Sequence, residues 1–369
     1  MAQAAERETK GASHEDGMME IPYLPKDPEE YDPEIALIGC GGITPHHLRA
    51  YKKAGYRVTA LCDIDRDRAE VMRRKFYPKA RIYTDHRQLL DQESGIEVVD
   101  VATHPEIRSV IVEEALRARK HVLSQKPFVI DLDRGEELVA LSDEMNVRLA
   151  VNQNGRWAPH FSWMRHAIQA GVAGQVVAMH TAVHWDHNWT AGTAFDAVRH
   201  LILYDFGIHW FDMLTCVMGD RTATRVYASM ALAHGQKAKP PLLAQALVEY
   251  PDAQATIGFD GSTPFGKWDH TEVIGSAGTM IAQGPDYEHQ KLAIFTQAGK
   301  YSPRLKGKWF QNGFHGTMAE LLCAIEEGRQ PSNNARENLK SLALCFAATV
   351  SAEQHEPVVP GAARKMPGY

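Results

Sequence analysis

From Glu34 onward the chain alternates short apolar runs with amphipathic stretches. Ile35–Ile38, Val58–Cys62, Glu97–Ala102, His121–Leu123 and Val147–Val151 read as strands. Between them lie segments with helical spacing: one through Leu48 and Tyr51, then Arg66–Phe76, Ile107–Arg119 and Leu132–Met145. Near-continuous apolar strands separated by helices predict a parallel sheet covered on both faces. After about residue 155 the pattern changes. A helix over Trp157–Ala170 leads into alternating stretches at Gln175–Trp185, Thr224–Ala231, Leu243–Tyr250, Ala253–Phe259 and Thr271–Ile274, which predict an antiparallel or mixed sheet. Further helices are expected at Asp205–Met218, near Gly316–Glu327 and at Ala335–Ala352. The predicted fold class is α/β, with a doubly wound N-terminal domain (33–153) and a sheet-rich C-terminal domain (154–369). Residues 1–32 are polar, with Pro22, Pro25 and Pro28 near their end. They read as an extension without a core of its own, lying either on the body or on a neighbouring subunit.

Composition narrows the function classes. The 369 residues, 44% of them hydrophobic, suit about two domains that need no disulfide or metal to fold. A formal charge of −6 offers no footprint for nucleic acid or an anionic membrane. No run of about 18 apolar residues exists to span a bilayer. Five widely spaced cysteines without a CxxC pair suit reduced thiols, and the first residues lack a secretion signal, so a cytoplasmic location is expected.

Gly39-Cys-Gly41-Gly42-Ile43-Thr44 falls between the first strand and the first helix. Glycines there let the backbone turn sharply and approach a pyrophosphate facing a helix N-terminus. Thr44 stands where the third glycine of G-x-G-x-x-G usually is, and its side chain is expected to loosen helix–strand packing slightly. Asp63 ends the second strand; a carboxylate there accepts from the adenosine ribose and repels a 2′-phosphate. NAD is therefore expected over NADP, with Arg66 as the residue that a 2′-phosphate would need. Ile43, Thr103, Gln125 and Lys126 complete the expected cofactor contacts.

Lys126 and Pro127 follow the fourth strand, where a side chain points into the ligand crevice of an open α/β sheet. Asp205 and His209 lie four apart on the expected helix, with Asp212 three further on the same side. His184-Trp-Asp-His187, with His180 nearby, could suggest a metal. An alternating strand puts His180, His184 and Asp186 on one side and His187 on the other, so no metal is expected.

Together, the GCGGI turn, the HVLSQKP segment and the DFGIHWFD segment resemble the Gfo/Idh/MocA oxidoreductases, the family of glucose–fructose oxidoreductase and inositol dehydrogenase. The resemblance runs from about Pro33 to the C-terminus and takes in Gly316–Leu322 and the Asn338–Ala343 region. It implies a Rossmann domain, then an α/β domain whose large open sheet often forms a subunit interface, hence a homodimer or homotetramer. It also implies a catalytic lysine from a Glu-Lys-Pro motif, matched by Lys126, and an Asp-x-x-x-His pair, matched by Asp205 and His209. Gln125 departs from the usual glutamate, and Val198–Tyr204 from a commonly glycine-containing stretch.

The implied reaction moves hydride between a nicotinamide and a secondary alcohol of a sugar, polyol or sugar derivative. His209 is expected as the main acid/base, with Lys126 stabilising charge on the reacting oxygen; exchange of these two roles stays open. Asp205 is expected to orient the histidine or to hold a substrate hydroxyl. Substrate contacts are expected from Asn152, Arg156, Trp157, His184, Arg199 and His200, with Trp185, Asp186, Asn188 and Trp189 as further candidates. A glycoside-cleaving or epimerising enzyme with tightly held, recycled NAD would use the same residues. A non-catalytic dinucleotide sensor would not need them.

Overall fold

A computed structural model describes residues 20–368. The first sheet comprises β1 (Glu34–Ile38), β2 (Arg57–Cys62), β3 (Arg81–Tyr83), β4 (Ile96–Val101), β5 (His121–Gln125) and β6 (Leu149–Asn152). Its order, β3-β2-β1-β4-β5-β6, is parallel throughout. The intervening helices are α1 (Thr44–Ala54), α2 (Arg66–Phe76), α3 (His86–Gln92), α4 (Pro105–Arg117) and α5 (Leu132–Glu144). Asp65, Asp85 and Asp131 cap α2, α3 and α5, each accepting a backbone N–H of the first turn. The chain order reverses between β1 and β4. That switch point opens a crevice at the carboxyl ends of the strands.

The second half begins with α6 (Pro159–Gln169), β7 (Val176–His184), a π-helical turn (Leu201–Phe206) and α7 (Ile208–Met218). Then come β8 (Arg225–Ala231), β9 (Leu243–Glu249), β10 (Gln254–Asp260), β11 (Trp268–Gly275), β12 (Gly278–Gly284), β13 (Lys291–Thr296) and β14 (Gly299–Tyr301). Helices α8 (Trp309–Glu326) and α9 (Ala335–Gln354) close the chain. The eight-stranded sheet runs β14-β13-β12-β11-β7-β10-β9-β8, antiparallel except where β7 meets β10. Its strands alternate buried and part-exposed residues, which suits a sheet with helices on one face only.

The closing helices return to the first sheet. Phe314, Met318, Leu321 and Leu322 of α8 share a core with Leu48 and Tyr51 of α1 and with Ile35 and Leu37 of β1. Residues 20–32 lie along the same body. The Tyr23 carbonyl accepts from Ser162 Oγ at 2.6 Å, and the Glu326 carboxylate accepts the N–H groups of Glu29, Glu30 and Tyr31 at 2.6–2.9 Å. The expected extension is thus, over this stretch, an arm on its own chain; residues 1–19, including the stretch read for a secretion signal, lie outside the described residues.

Several elements differ from the pattern-based expectation. β3, α3, β12, β13 and β14 are added, and α8 begins at Trp309 rather than near Gly316. Asp205 lies in the π-helical turn, not in α7. The turn is wound by a Gly207 N–H to Ile202 carbonyl bond of 2.7 Å, five residues back. A Cβ on Gly207 would sit 2.6 Å from the Leu203 carbonyl oxygen, so only glycine fits at the junction.

Candidate active site

The glycine turn has the shape of a phosphate cradle. Gly39 has φ +99°, and a Cβ there would lie 2.9 Å from the carbonyl group of Ala102. Gly41 and Gly42 face open space. The α1 N-terminus beside them has no side-chain cap; Pro45 brings no N–H to its first turn, and the Thr44 and His46 N–H groups bond back to the Gly41 and Ile43 carbonyls. Thr44 does not loosen the packing as expected. It is buried, and its hydroxyl donates to the Gly39 carbonyl at 2.6 Å, closing the turn with a hydrogen bond that glycine lacks. Asp63 is pinned next to it, accepting the Cys40 N–H at 2.7 Å and the Asp65 N–H at 2.9 Å. A carboxylate has about four acceptor positions, so two remain for a diol. Ile43 precedes α1, and Thr103 follows β4 with its hydroxyl enclosed and unpaired. Arg66 is exposed at the start of α2. These features fit a dinucleotide: a close-approach turn, open space over two glycines, and a fixed carboxylate one strand away.

Lys126 leaves the carboxyl end of β5 and is held from several directions. Its backbone N–H donates to Gln125 Oε1 at 2.7 Å. The buried Arg108 guanidinium donates to the carbonyls of Thr103, Gln125 and Pro127, clamping the chain on both sides of the lysine, and burial lowers its pKa to about 10. The Lys126–Pro127 peptide is cis. Behind Gln125 lies a buried chain of polar groups. Gln125 Nε2 is 2.9 Å from His47 Nε2, His47 Nδ1 is 2.7 Å from Asp100 Oδ2, and Tyr51 Oη donates to the same oxygen at 2.7 Å. Donor counting assigns the tautomer. Gln125 Oε1 is the acceptor for Lys126, so its amide nitrogen donates, His47 Nε2 accepts, and Nδ1–H donates to Asp100. A glutamate at position 125 would lack that donor.

The lysine amine reaches across to the second half of the chain. Nζ donates to the Asp205 carbonyl at 2.8 Å and lies 3.4 Å from Asp205 Oδ2. Asp205 is thus engaged with Lys126 rather than with His209. His209 sits one turn further on. Its Nδ1 is enclosed without a partner, so the accessible edge of the ring carries Nε2. Burial first, and next the Lys126 charge, hold its pKa well below the ordinary histidine range. An amine and a neutral imidazole thereby share one crevice edge, a pairing suited to moving a proton from a hydroxyl while stabilising the oxygen left behind.

Aromatic rings wall this edge. Trp309 stands 5.6 Å from His209, edge to face, and 5.6 Å from Tyr287; Tyr287 is 5.0 Å from Trp185, and Trp185 is 6.1 Å from Trp210. Trp309 Nε1 is fixed by Asn154 Oδ1 at 2.7 Å. Asp269 of β11 is buried beside Val183 of β7, with Oδ2 unpaired; burial and then Asp286 raise its pKa to about 7.

A family model described as the oxidoreductase family with an NAD-binding Rossmann fold matches residues 34–153, and the Gfo/Idh/MocA C-terminal domain matches residues 161–281. The chain belongs to the Gfo/Idh/MocA oxidoreductases. A D-apiose dehydrogenase of Paraburkholderia graminis is 27% identical over 344 residues, covering 88% of both chains. An inositol 2-dehydrogenase of Rhizobium meliloti is 24% identical over 333 residues, covering 88% of this chain and 98% of that one. The fold is also that of an oxidoreductase from Agrobacterium radiobacter, solved in complex with NAD+, L-tartaric acid and magnesium. It gives a TM-score of 0.81 at 23% identity, covering 90% of this chain and 99% of that chain. Among the described residues no helix is long and apolar enough to cross a membrane.

Against this family background the remaining expected residues are placed unevenly. Gln125 and Asn152 pair across β5 and β6, and Asn152 is buried with its amide nitrogen unpaired. The structure does not bring Arg156 into the Lys126 cluster. Its guanidinium is buried, forked onto Asp212 at 2.6 and 2.7 Å, and bonded to the Ser332 carbonyl. Asp212 therefore faces α9, where Ser341 also donates to it at 3.0 Å, and not the side of His209. Trp157 is core, packed so closely on Gly316 that a Cβ there would lie 2.2 Å from the ring. His184 lies on the helix-free face of β7, 3.5 Å from Asp260 and against Trp268, because β7 alternates and Val183 takes the inner face. Arg199 and His200 meet Glu353 of α9 at 2.8 and 3.0 Å. Asp186 and Asn188 hydrogen bond to each other, while Trp185 and His187 stack at 5.3 Å. Trp189 is exposed. Sequence reasoning missed Trp309, Tyr287, Arg108 and the His47–Asp100–Tyr51 chain. Helical spacing from Leu48 to Tyr51 points to the α1 core face, but nothing local shows that His47 and Tyr51 meet Asp100, 53 and 49 positions away, rather than water.

Proposed function

We propose that this chain is an NAD-dependent dehydrogenase acting on a secondary alcohol of a sugar, polyol or sugar derivative. The observation that carries the reading is the meeting of Lys126, Asp205 and His209 at the crevice edge beside the glycine turn. Residues 33–153 would hold the dinucleotide through Gly39, Gly41, Gly42, Ile43, Asp63, Thr103 and Gln125, and residues 154–369 the substrate. When bound, the dinucleotide supplies the hydride acceptor. The rest falls to the chain's own groups. Neutral His209 takes the hydroxyl proton at Nε2. Lys126 donates to the same oxygen as negative charge grows there. Asp205 anchors the lysine amine so that it stays directed at that oxygen. Trp309, Tyr287 and Trp185 give ring faces and exclude water. The relatives named for D-apiose and inositol support a polyhydroxylated substrate. Asp63, beside the turn, supports NAD over NADP.

Incubation with excess NAD and a panel of sugars and polyols tests this: net NADH is expected with at least one of them. Substrate conversion without net NADH would instead reveal an internally recycled dinucleotide, and NAD binding with no turnover at all would leave a sensor. The helix-free face of the second sheet, with Trp268 stacked on His270 and Tyr227 and Phe295 exposed, supports a homo-oligomer through that face. Light scattering should give a dimer or tetramer mass, and a monomer would refute it.

A further inference from the structure

Arg165 on α6 is almost fully enclosed, and burial lowers its pKa. Among the described residues its guanidinium has no carboxylate within ion-pair distance and no hydrogen-bond acceptor; its Nε is sealed in without a partner. What it does touch is the Trp157 ring, 5.4 Å away. The charged groups around it are already satisfied by others. Arg156 holds Asp212, Lys340 Nζ holds Glu337 at 2.6 Å, and Glu320 is bound by Arg329 and the Ser332 N–H. A buried guanidinium is ordinarily paired, and an unpaired one marks a missing ion or ligand.

Beside Arg165 lies a cavity of about 170 Å³, bordered also by Gln169, Thr215, Ser332 and Lys340. Two carboxylates, Asp220 and Glu337, lie on its border; Glu337 is tied to Lys340, and Asp220 makes no ion pair with Arg165. The cavity flanks the C-terminal end of α7, about two turns from His209. It is separate from the crevice.

We propose that this cavity is a binding site for a phosphate-sized oxyanion, clamped by the Arg165 fork. The fork presents planar, paired donors that match a phosphate edge, and the Trp157 face keeps the guanidinium in plane. Lys340 of α9, shared with Glu337, brings a further cation to the border, and the Gln169 amide adds a neutral donor; the Thr215 hydroxyl is committed to the Asp212 carbonyl. An anion there would tie α6, α7 and α9 together at a point where, among the described residues, no carboxylate pairs with Arg165. Free phosphate and the head of a phosphomonoester share this chemistry.

Titration calorimetry in chloride-matched buffer tests the site, with inorganic phosphate in one arm and glycerol phosphate in the other. The proteins are the wild-type chain, Arg165→Met, which keeps the stem on Trp157, and Lys340→Met on the exposed side. Saturable phosphate binding by the wild type is expected, weakened roughly 10- to 100-fold in Arg165→Met. Phosphate at the glycine turn would be untouched by that change. The melting temperature of the wild type should rise with phosphate and that of Arg165→Met should not. Glycerol phosphate binding as tightly as phosphate would identify a head-group site, and weaker binding a free-ion site. Absence of saturable binding by the wild type, or equal affinity in Arg165→Met, overturns the proposal. If Arg165→Met does not fold, Lys340→Met decides: reduced affinity supports the site and unchanged affinity overturns it.

Discussion

Arg156 gives a sharp test of structure against motif. By its position after the last strand of the first sheet it belongs among substrate contacts; by geometry it is a buried ion pair with Asp212, at 2.6 and 2.7 Å. Asp212→Asn keeps the shape and removes the charge. The Arg156 guanidinium is then left without a counter-charge in a site that is 95% hidden from solvent, with only neutral acceptors, the Ser332 carbonyl and the one amide oxygen. Breaking a buried pair from one side costs about 3–5 kcal/mol. Ser341 Oγ and Asn338 Nδ2, which share Oδ1 at 3.0 and 3.4 Å, can still reach the amide oxygen, so little is added for them. A loss of that size lowers the melting temperature by on the order of 10 °C for a domain of this size. Arg156→Met combined with Asp212→Asn removes both charges and should recover much of the loss, giving a coupling energy of about 2 kcal/mol or more. Thermal and urea unfolding measure the stability, and steady-state kinetics at low temperature measure kcat and KM. KM should stay near normal in protein that remains folded. Unchanged stability together with a sharply raised KM would refute it and return Arg156 to the substrate.

Other perturbations reach different parts of the account. Gln125→Leu strips His47 Nε2 of its donor and the Lys126 N–H of its acceptor; two buried polar groups left unpaired should cost about 2–5 kcal/mol, with kcat falling more than KM rises, and an unchanged kcat would show that Lys126 does not depend on this network. Asp269 has a folded pKa raised to about 7 from an ordinary 3.8, so its contribution to stability is full below about pH 4 and is lost as the pH rises through 7. Asp269→Asn should therefore be the more stable protein at pH 8 relative to its standing at pH 4, and parallel pH–stability curves would contradict this. Burial depresses His160 to about 3, and His121 and His187 to about 4. Their contribution is intact above the unfolded value near 6.5 and is lost as the pH falls towards the folded values, steepening acid unfolding by roughly 1.4 kcal/mol per pH unit for each group. His160→Gln should make that slope shallower.

The first sheet was legible because its signals are local. Apolar runs of three to six residues, a glycine turn and an acid after the second strand all lie in sequence where the parallel fold needs them. The second sheet was half legible. β7 to β11 alternate cleanly, whereas β12 to β14 are interrupted by Gly278, Gly284 and Gly299 and carry exposed lysines that blur the period. The offset of Asp205 came from winding: four-residue spacing looks the same across a π-helical turn and within an α-helix, and the Gly207 N–H bond to the Ile202 carbonyl, five residues back, is what separates them. Of the expected substrate residues, Arg156 and Trp157 face the α7–α9 and α8 sides because their partners, Asp212 and Gly316, lie 56 and 159 positions away. No local pattern records such partners. The same distance hid Trp309 and Tyr287, which reach the crevice from the far end of the chain.

The most direct test is a crystal structure of the ternary complex with NAD and a polyol that the enzyme turns over. One substrate hydroxyl should lie within about 3 Å of both His209 Nε2 and Lys126 Nζ, with its carbon facing the nicotinamide. A reacting hydroxyl bound out of hydrogen-bond reach of either group would contradict the proposed chemistry.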